Sequence, residues 1–199
     1  MLQLGVTQFF SWAALFLMWN YLKPAITGVV TDNSGAVLAE GATATWVGVL
    51  NAVYPVPACI IALFMTRIAS RYGNKTVYAA TLACGALGFL GLSLLHNQYL
   101  LMLPMVGIGI AWAGILAMPY SILSRAIDAN SAGAYMGIFN FTIVIPQICM
   151  GLLGGVIVKY VFGGNAVAML ALAGALMLCA AVSVAFIRDR RDGGESDRN

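Results

Sequence analysis

The sequence predicts an all-α integral membrane protein that crosses the bilayer with six helices. Hydrophobic residues make up 61% of its 199 residues, and charged residues only 9%. A soluble domain carries roughly 25% charged residues, so lipid rather than water must cover this much apolar surface. The apolar residues fall into six runs. Each run is close to the ~20 residues that a spanning helix needs and is too long for a barrel strand.

Turn-forming and charged residues separate the six runs. Asp32 to Gly35 separates the first run from the second, Arg71 to Lys75 the second from the third, and His96-Asn97 the third from the fourth. We therefore predict a six-helix membrane domain over residues 1–188 and a polar cytoplasmic tail over 189–199. The predicted spans are 2–28, 41–66, 76–95, 99–124, 134–160 and 164–187.

Basic residues predict the orientation of the chain in the membrane. Lysine and arginine favour cytoplasmic loops, and here Arg67, Arg71 and Lys75 surround the second connection while Arg125 follows the fourth span. The connections on the other side hold acidic residues and a histidine instead. We therefore expect both termini in the cytoplasm, in a multi-pass protein of a bacterial inner membrane or a plasma membrane.

The residue pattern indicates neither an enzyme nor a cofactor site. The four cysteines lie inside apolar runs without the paired spacing of metal and redox motifs, and such cysteines pack as small hydrophobes. No aspartate or glutamate lies within a predicted span, although proton-coupled carriers use a carboxylate there as a proton relay. Any such relay must therefore lie outside this chain. The small net charge of +3 gives no indication of a nucleic-acid partner.

The first three runs and the last three share a sequence pattern. In the second and fifth runs the pattern is G-x-x-N, with a proline six residues after the asparagine. Because three spans are an odd number, the second unit enters the bilayer from the opposite side. Such an inverted repeat is typical of transporters that bind solutes near the midplane. The paired residues are Trp12 with Trp112, Met18 with Met118, Gly48 with Gly137, Asn51 with Asn140, and Pro57 with Pro146.

Three longer segments carry a family resemblance. They read QFFSWAALF from Gln8, AWAGILAMPY from Ala111, and GAYMGIFNF from Gly133, the last continuing to Ile145-Pro146-Gln147. They resemble the seventh, tenth and eleventh helices of the major facilitator superfamily, in its branch of sucrose-type glycoside/proton symporters. The resemblance implies the carboxy-terminal six-helix half of a twelve-helix fold. It also implies transport of a sucrose- or maltose-like sugar by alternating access, coupled to protons in the complete carrier.

The connection after the second run resembles the superfamily loop pattern G-x-x-x-D-R-x-G-R-R. Arg71 and Gly73 keep their positions in it, and Lys75 keeps the last basic position. Thr66 replaces the first glycine and Ser70 replaces the aspartate, so the latch between helices that the aspartate forms in the family is incomplete here. Charge placement alone explains the basic residues equally well. The residues to which the resemblance gives a gating role are Arg67, Arg71, Gly73 and Lys75.

Polar and aromatic residues inside the spans are the candidate solute contacts, because an unpaired polar group in lipid is costly. Gln8 and Trp12 share a face of the first helix, where an amide and an indole suit the hydroxyls and the apolar ring face of a sugar. Asn140 and Gln147 share a face of the fifth, about 10 Å apart. Pro146 beside them removes a helical hydrogen bond. The predicted contacts are Gln8, Trp12, Asn51, Tyr54, Trp112, Tyr120, Asn140 and Gln147.

Other interpretations stay open from the sequence. Buried amides also join helices to one another, and tryptophans near span ends also form an interfacial belt. The chain as a whole also fits a truncated or non-transporting membrane interaction domain, or a carrier of another small polar solute. As a carrier half, its expected partners are a sugar, a proton, the lipid bilayer, and either a missing amino-terminal six-helix half or a second copy.

Overall fold

The computed structural model describes residues 2–124 and 132–187. These ranges contain helices joined by short connections, and within them the only β-type pairing is a pair of isolated bridges. The helices are α1 Leu2–Ile26, α2 Glu40–Val53, α3 Pro55–Tyr72, α4 Asn74–Leu94, α5 Met102–Ser124, α6 Ala132–Val156 and α7 Ala166–Ser183. A π-helical turn, Ile157–Val161, continues α6, and a 3-10 turn, Val184–Phe186, follows α7.

The seven helices form six spans, because α2 and α3 join end to end as one span over Glu40–Tyr72. All six spans are long and apolar enough to cross a membrane, which confirms the predicted all-α polytopic fold class. The second span extends past its predicted end at residue 66 because arginines near a helix end can reach the polar boundary with their long side chains. The predicted tail and Arg125 lie outside the described residues.

The helical hydrogen-bond pattern of the second span is interrupted at Tyr54, between α2 and α3, although the backbone dihedrals of Tyr54 remain helical. Pro55 and Pro57 both lack a backbone N–H, and Pro55 takes the first position of α3, where no intrahelical bond is needed. In contrast, α6 continues through Pro146 without a break and widens only later, in the π-helical turn. The interruption therefore follows two prolines in three residues, and a single proline is not enough to produce it.

Helix packing follows the repeat seen in the sequence. The first span packs against the fifth and sixth, the fourth packs against the second and third, and the third and sixth pack against each other. If the first span is exchanged with the fourth, the second with the fifth and the third with the sixth, the same set of packed pairs results. The pairings are therefore those expected of two three-helix units related by a two-fold axis, as in an inverted repeat.

The two outermost spans are the second and the fifth. In an apolar stretch of 18 residues from each of these two spans, only 11% of the residues are buried within the bundle, whereas 44–56% are buried in the corresponding stretches of the other four spans. Glycine allows a close approach between α4 and α5. A Cβ atom on Gly107 would lie 2.7 Å from the carbonyl oxygen of Cys84, and one on Gly88 would lie 2.6 Å from that of Pro104. Small residues at such crossings let spanning helices pack backbone to backbone.

Two connections at one end of the bundle are tied together. The backbone N–H of Thr31 donates to the carbonyl of His96 at 2.7 Å, and the N–H of Gln98 donates to the carbonyl of Thr31 at 3.0 Å. The indole of Trp46 on α2 donates to the carbonyl of Gln98 at 2.8 Å. These bonds join the connection after α1, the start of the second span and the connection before α5.

Candidate functional site

Four aromatic side chains meet where the first, second and fourth spans approach one another. The ring of Trp112 lies 5.7 Å from that of Trp12, 5.7 Å from that of Trp19 and 6.1 Å from that of Tyr54, all edge to face. Aromatic pairs prefer this geometry, which is worth about 0.5–1.5 kcal/mol per pair beyond burial. We call these four residues the aromatic cluster. Trp12 and Trp112 lie near the middle of α1 and α5, so the cluster sits at mid-depth.

Trp12 carries a buried polar group that is not satisfied. Its side chain is 7% exposed, and its Nε1 has no hydrogen-bond partner within the described residues. An indole N–H can only donate, and leaving a buried donor unpaired costs about 1–3 kcal/mol. The cluster therefore holds a buried hydrogen-bond donor that is left unpaired among the described residues.

A cavity of about 290 Å³ adjoins the cluster at Trp112. Pro55, Ala58 and Cys59 form one wall on α3, and Trp112 and Leu116 form the other on α5. The cavity has no charged residue in its lining. It leaves part of the Trp112 side chain free to contact a solute.

A larger cavity, of about 550 Å³, lies between the first and fifth spans. Its lining includes Gly5, Phe9, Phe139 and Thr142 and is almost wholly apolar. The Thr142 hydroxyl already donates to the carbonyl of Phe139 at 2.6 Å. This cavity therefore offers few hydrogen-bonding groups. The smaller cavity is also mostly apolar, but it has the indole of Trp112 in its lining and is the better candidate for a hydroxylated solute.

Gln8 lies one turn before Trp12 but faces a different neighbour. It is 1% exposed, and its Oε1 accepts a hydrogen bond from the hydroxyl of Tyr78 on α4 at 2.8 Å. On the same side of α1, the hydroxyl oxygens of Thr7 and Ser183 lie 2.7 Å apart. In this conformation Gln8 joins two helices, which is the alternative role open from the sequence, and its contact with a solute stays a prediction.

The other predicted contacts lie apart from the aromatic cluster. Asn51 is half-buried and donates to the carbonyl of Val47 in its own helix at 2.9 Å. Tyr120 packs edge to face on Phe139, with ring centroids 5.1 Å apart. Next to Phe139, Asn140 is exposed. Neither Asn140 nor half-buried Gln147 has a side-chain hydrogen bond to another residue of the described ranges.

The structure thus brings together three of the predicted contact residues: Trp12, Tyr54 and Trp112. It adds Trp19, which is not among the predicted contacts. The spacing held a signal, because Trp19 follows Trp12 by seven residues, two helical turns, and so shares its face. The cluster also depends on the position of Tyr54 at the junction of α2 and α3. Helical periodicity does not predict that junction.

The predicted gating residues lie at the turn between the second and third spans. Arg67 and Arg71 are exposed near the end of α3, and the guanidinium of Arg71 lies 5.5 Å from the ring centre of Tyr72. Gly73 makes the turn with a φ of 84°, a conformation that favours glycine. Half-buried Lys75 follows in the first turn of α4. These residues are far along the second span from the aromatic cluster.

Comparison with known proteins identifies the family of the chain. No curated protein and no solved structure matches it. The family model described as Major Facilitator Superfamily matches residues 4–199, which include nearly all of the first span and the whole of the other five. The chain therefore belongs to the Major Facilitator Superfamily, whose members are multi-pass membrane transporters rather than enzymes.

Proposed function

We propose that this chain is the carboxy-terminal half of a carrier for a neutral sugar of the sucrose or maltose type, with the aromatic cluster as one wall of the sugar site. The observation that carries the proposal is the buried, unpaired Nε1 of Trp12, whose ring packs edge to face on Trp112, a residue in the lining of the cavity. Indole rings stack on the apolar face of a sugar ring. A sugar hydroxyl oxygen can accept a hydrogen bond from the indole N–H of Trp12.

The absence of charge supports a neutral solute. The aromatic cluster and the cavity beside it contain uncharged residues alone, and an ionised solute there would lack a counter-charge. Lys23, in the last turn of α1, is the nearest basic residue along that helix and is exposed. A carrier of organic anions would need a basic group nearer the cluster.

The second and fifth spans support a partner bundle. Both are largely uncovered, and Asn140 exposes an amide in the fifth that makes no bond within the described residues. An amide in lipid is costly unless it faces protein or a water-filled path. The proposed partner is an amino-terminal six-helix half, which would cover both spans and enclose the sugar between the two bundles.

Proton coupling would depend on that partner. Within the described ranges the acidic residues are Asp32 and Glu40. Asp32 lies in the connection before the second span, and Glu40 is the first residue of that span, so neither lies deep in the membrane. The proposed orientation puts the start of that span outside and puts Arg67, Arg71 and Lys75 in the cytoplasm. The coupling carboxylate of a proton symporter would then lie in the amino-terminal half.

The test is uptake of labelled sucrose and maltose by proteoliposomes that contain this chain with or without a co-expressed amino-terminal half. We expect saturable uptake only when both halves are present. Trp12→Phe keeps an aromatic ring but removes the buried donor, so it should raise KM by about tenfold, as for the loss of one hydrogen bond of ~1.4 kcal/mol.

A matched control is Trp19→Phe, which removes the indole N–H of an exposed member of the same cluster. It should change KM much less than Trp12→Phe. Saturable uptake by this chain alone would favour a second copy as the partner. Absence of uptake of any sugar or competing polar solute, with the partner half present, would favour the non-transporting interaction domain.

A further inference from the structure

A third cavity, of about 350 Å³, opens between the second and third spans. Ile61, Met65 and Ile68 line it on α3, and Val77 and Ala80 line it on α4. None of its lining residues belongs to the aromatic cluster, and nearly all of its surface is apolar. We call it the α3–α4 groove. Its walls therefore suit a hydrocarbon chain.

Two basic residues, Arg71 and Lys75, are chain neighbours of the residues that line the end of the groove nearest the turn at Gly73. Tyr72 and Thr76 line this end, and the guanidinium of Arg71 lies over the Tyr72 ring at 5.5 Å, a cation–π contact. This contact holds a positive charge beside the groove. Lys75 adjoins Thr76 in the chain, and the Thr76 hydroxyl has no hydrogen bond to another described residue.

These basic residues have no acidic partner nearby in the described chain. Ser70 stands at the aspartate position of the loop pattern, and its hydroxyl donates instead to the carbonyl of Arg67 at 2.8 Å. The carboxylates of the described ranges, Asp32 and Glu40, lie at or beyond the other end of the second span. Among the described residues, no carboxylate therefore compensates the charge at the groove.

We propose that the α3–α4 groove binds one anionic phospholipid, with an acyl chain between α3 and α4 and the phosphate between Arg71 and Lys75. Basic pockets between spanning helices are known to bind acidic lipid head groups. A zwitterionic lipid would bring a cation to a site that already has two, and free phosphate would leave the apolar groove empty. This inference does not depend on sugar transport.

Native mass spectrometry of the full chain, released from detergent with equal amounts of phosphatidylglycerol and phosphatidylcholine, tests the proposal. The wild type should retain phosphatidylglycerol in preference. The double variant Arg71→Gln, Lys75→Gln should bind it roughly 30-fold more weakly, because each basic side chain near the membrane surface is worth about 1 kcal/mol and 1.4 kcal/mol is a factor of ten. The control Lys23→Gln, which removes an exposed charge from α1, should bind like the wild type.

A second variant tests the acyl-chain site without changing charge. Ala80 is exposed on the groove wall, so Ala80→Phe should fold normally, fill the groove and reduce retention of the lipid. Soluble glycerol phosphate should not be retained by any variant. Any one of four results would overturn the proposal. The wild type would retain both lipids equally, the double variant would retain phosphatidylglycerol like the wild type, Lys23→Gln would lose as much retention as the double variant, or glycerol phosphate would be retained.

Discussion

The hydroxyl of Tyr78 donates a hydrogen bond to the side-chain oxygen of Gln8 at 2.8 Å, and the two side chains are 0% and 1% exposed. This bond joins the third span to the first, one turn before Trp12. Because both groups are buried, neither has water as a substitute partner. The bond therefore restrains the rotation of α1 about its axis, and with it the side of α1 that faces Trp112.

Tyr78→Phe should destabilise the bundle by about 1 kcal/mol, since it leaves the buried side-chain oxygen of Gln8 without this donor. Unfolding of the purified protein in detergent measures this change. The double variant Gln8→Leu, Tyr78→Phe removes both partners and should be more stable than the sum of the single variants. Strict additivity of the two single changes would show that the bond contributes nothing.

Gly107→Ala should destabilise the protein, because the added Cβ would lie 2.7 Å from the Cys84 carbonyl oxygen and push α5 away from α4. Gly48→Ala is the matched control, since no atom lies within 4 Å of a Cβ at that position. Alanine is favoured over glycine in a helix by roughly 0.5–1 kcal/mol, so the control should be neutral or stabilising. Thermal unfolding of both variants and the wild type in the same detergent shows whether each substitution lowers or raises the stability.

Sugar should protect Cys59 from alkylation if the cavity beside Trp112 is part of the transport site. Cys59 lines that cavity, whereas Cys179 is exposed on the sixth span outside it. Single-cysteine variants with each of these thiols report the two positions separately. We expect saturating sucrose or maltose to slow maleimide labelling of Cys59 and to leave Cys179 unchanged. If maleimide labels Cys59 at the same rate with and without sugar, this cavity is not part of the transport site.

Acid should loosen the connection between the first two spans. The Asp32 carboxylate accepts bonds from the Ser34 hydroxyl at 2.6 Å, the Ser34 N–H at 2.8 Å and the Ala36 N–H at 3.0 Å. The Ser34 hydroxyl is the main cause that holds the pKa of Asp32 below its ordinary value. A lowered pKa stabilises the turn above the ordinary pKa, and this stabilisation is lost as the pH falls through the lowered value.

Hydrogen exchange at the amides of Ser34 and Ala36, corrected for the intrinsic rate at each pH, measures this effect. Protection should persist from neutral to mildly acid pH and fall in strong acid. Asp32→Asn should lower protection at neutral pH and remove its dependence on pH in acid. A wild-type profile that matches the variant would contradict the role of the carboxylate.

The six-span topology follows from the sequence for a clear physical reason. In lipid each segment must satisfy its own backbone hydrogen bonds, so a long apolar run has to be a helix. The repeat was also visible, in pairs such as Trp12 with Trp112 and Asn51 with Asn140. The family resemblance agrees with the superfamily match over residues 4–199, while the sugar specificity and the half-carrier role remain proposals.

Hydropathy and periodicity determined which residues enter the membrane and which of them share a helix face. They could not determine what each face meets. Gln8 and Trp12 are one turn apart on α1, yet Gln8 bonds Tyr78 on α4 and Trp12 packs against Trp112 on α5. Only the packing of three spans decided that difference, because the neighbour of a side chain depends on helix positions that local sequence does not encode.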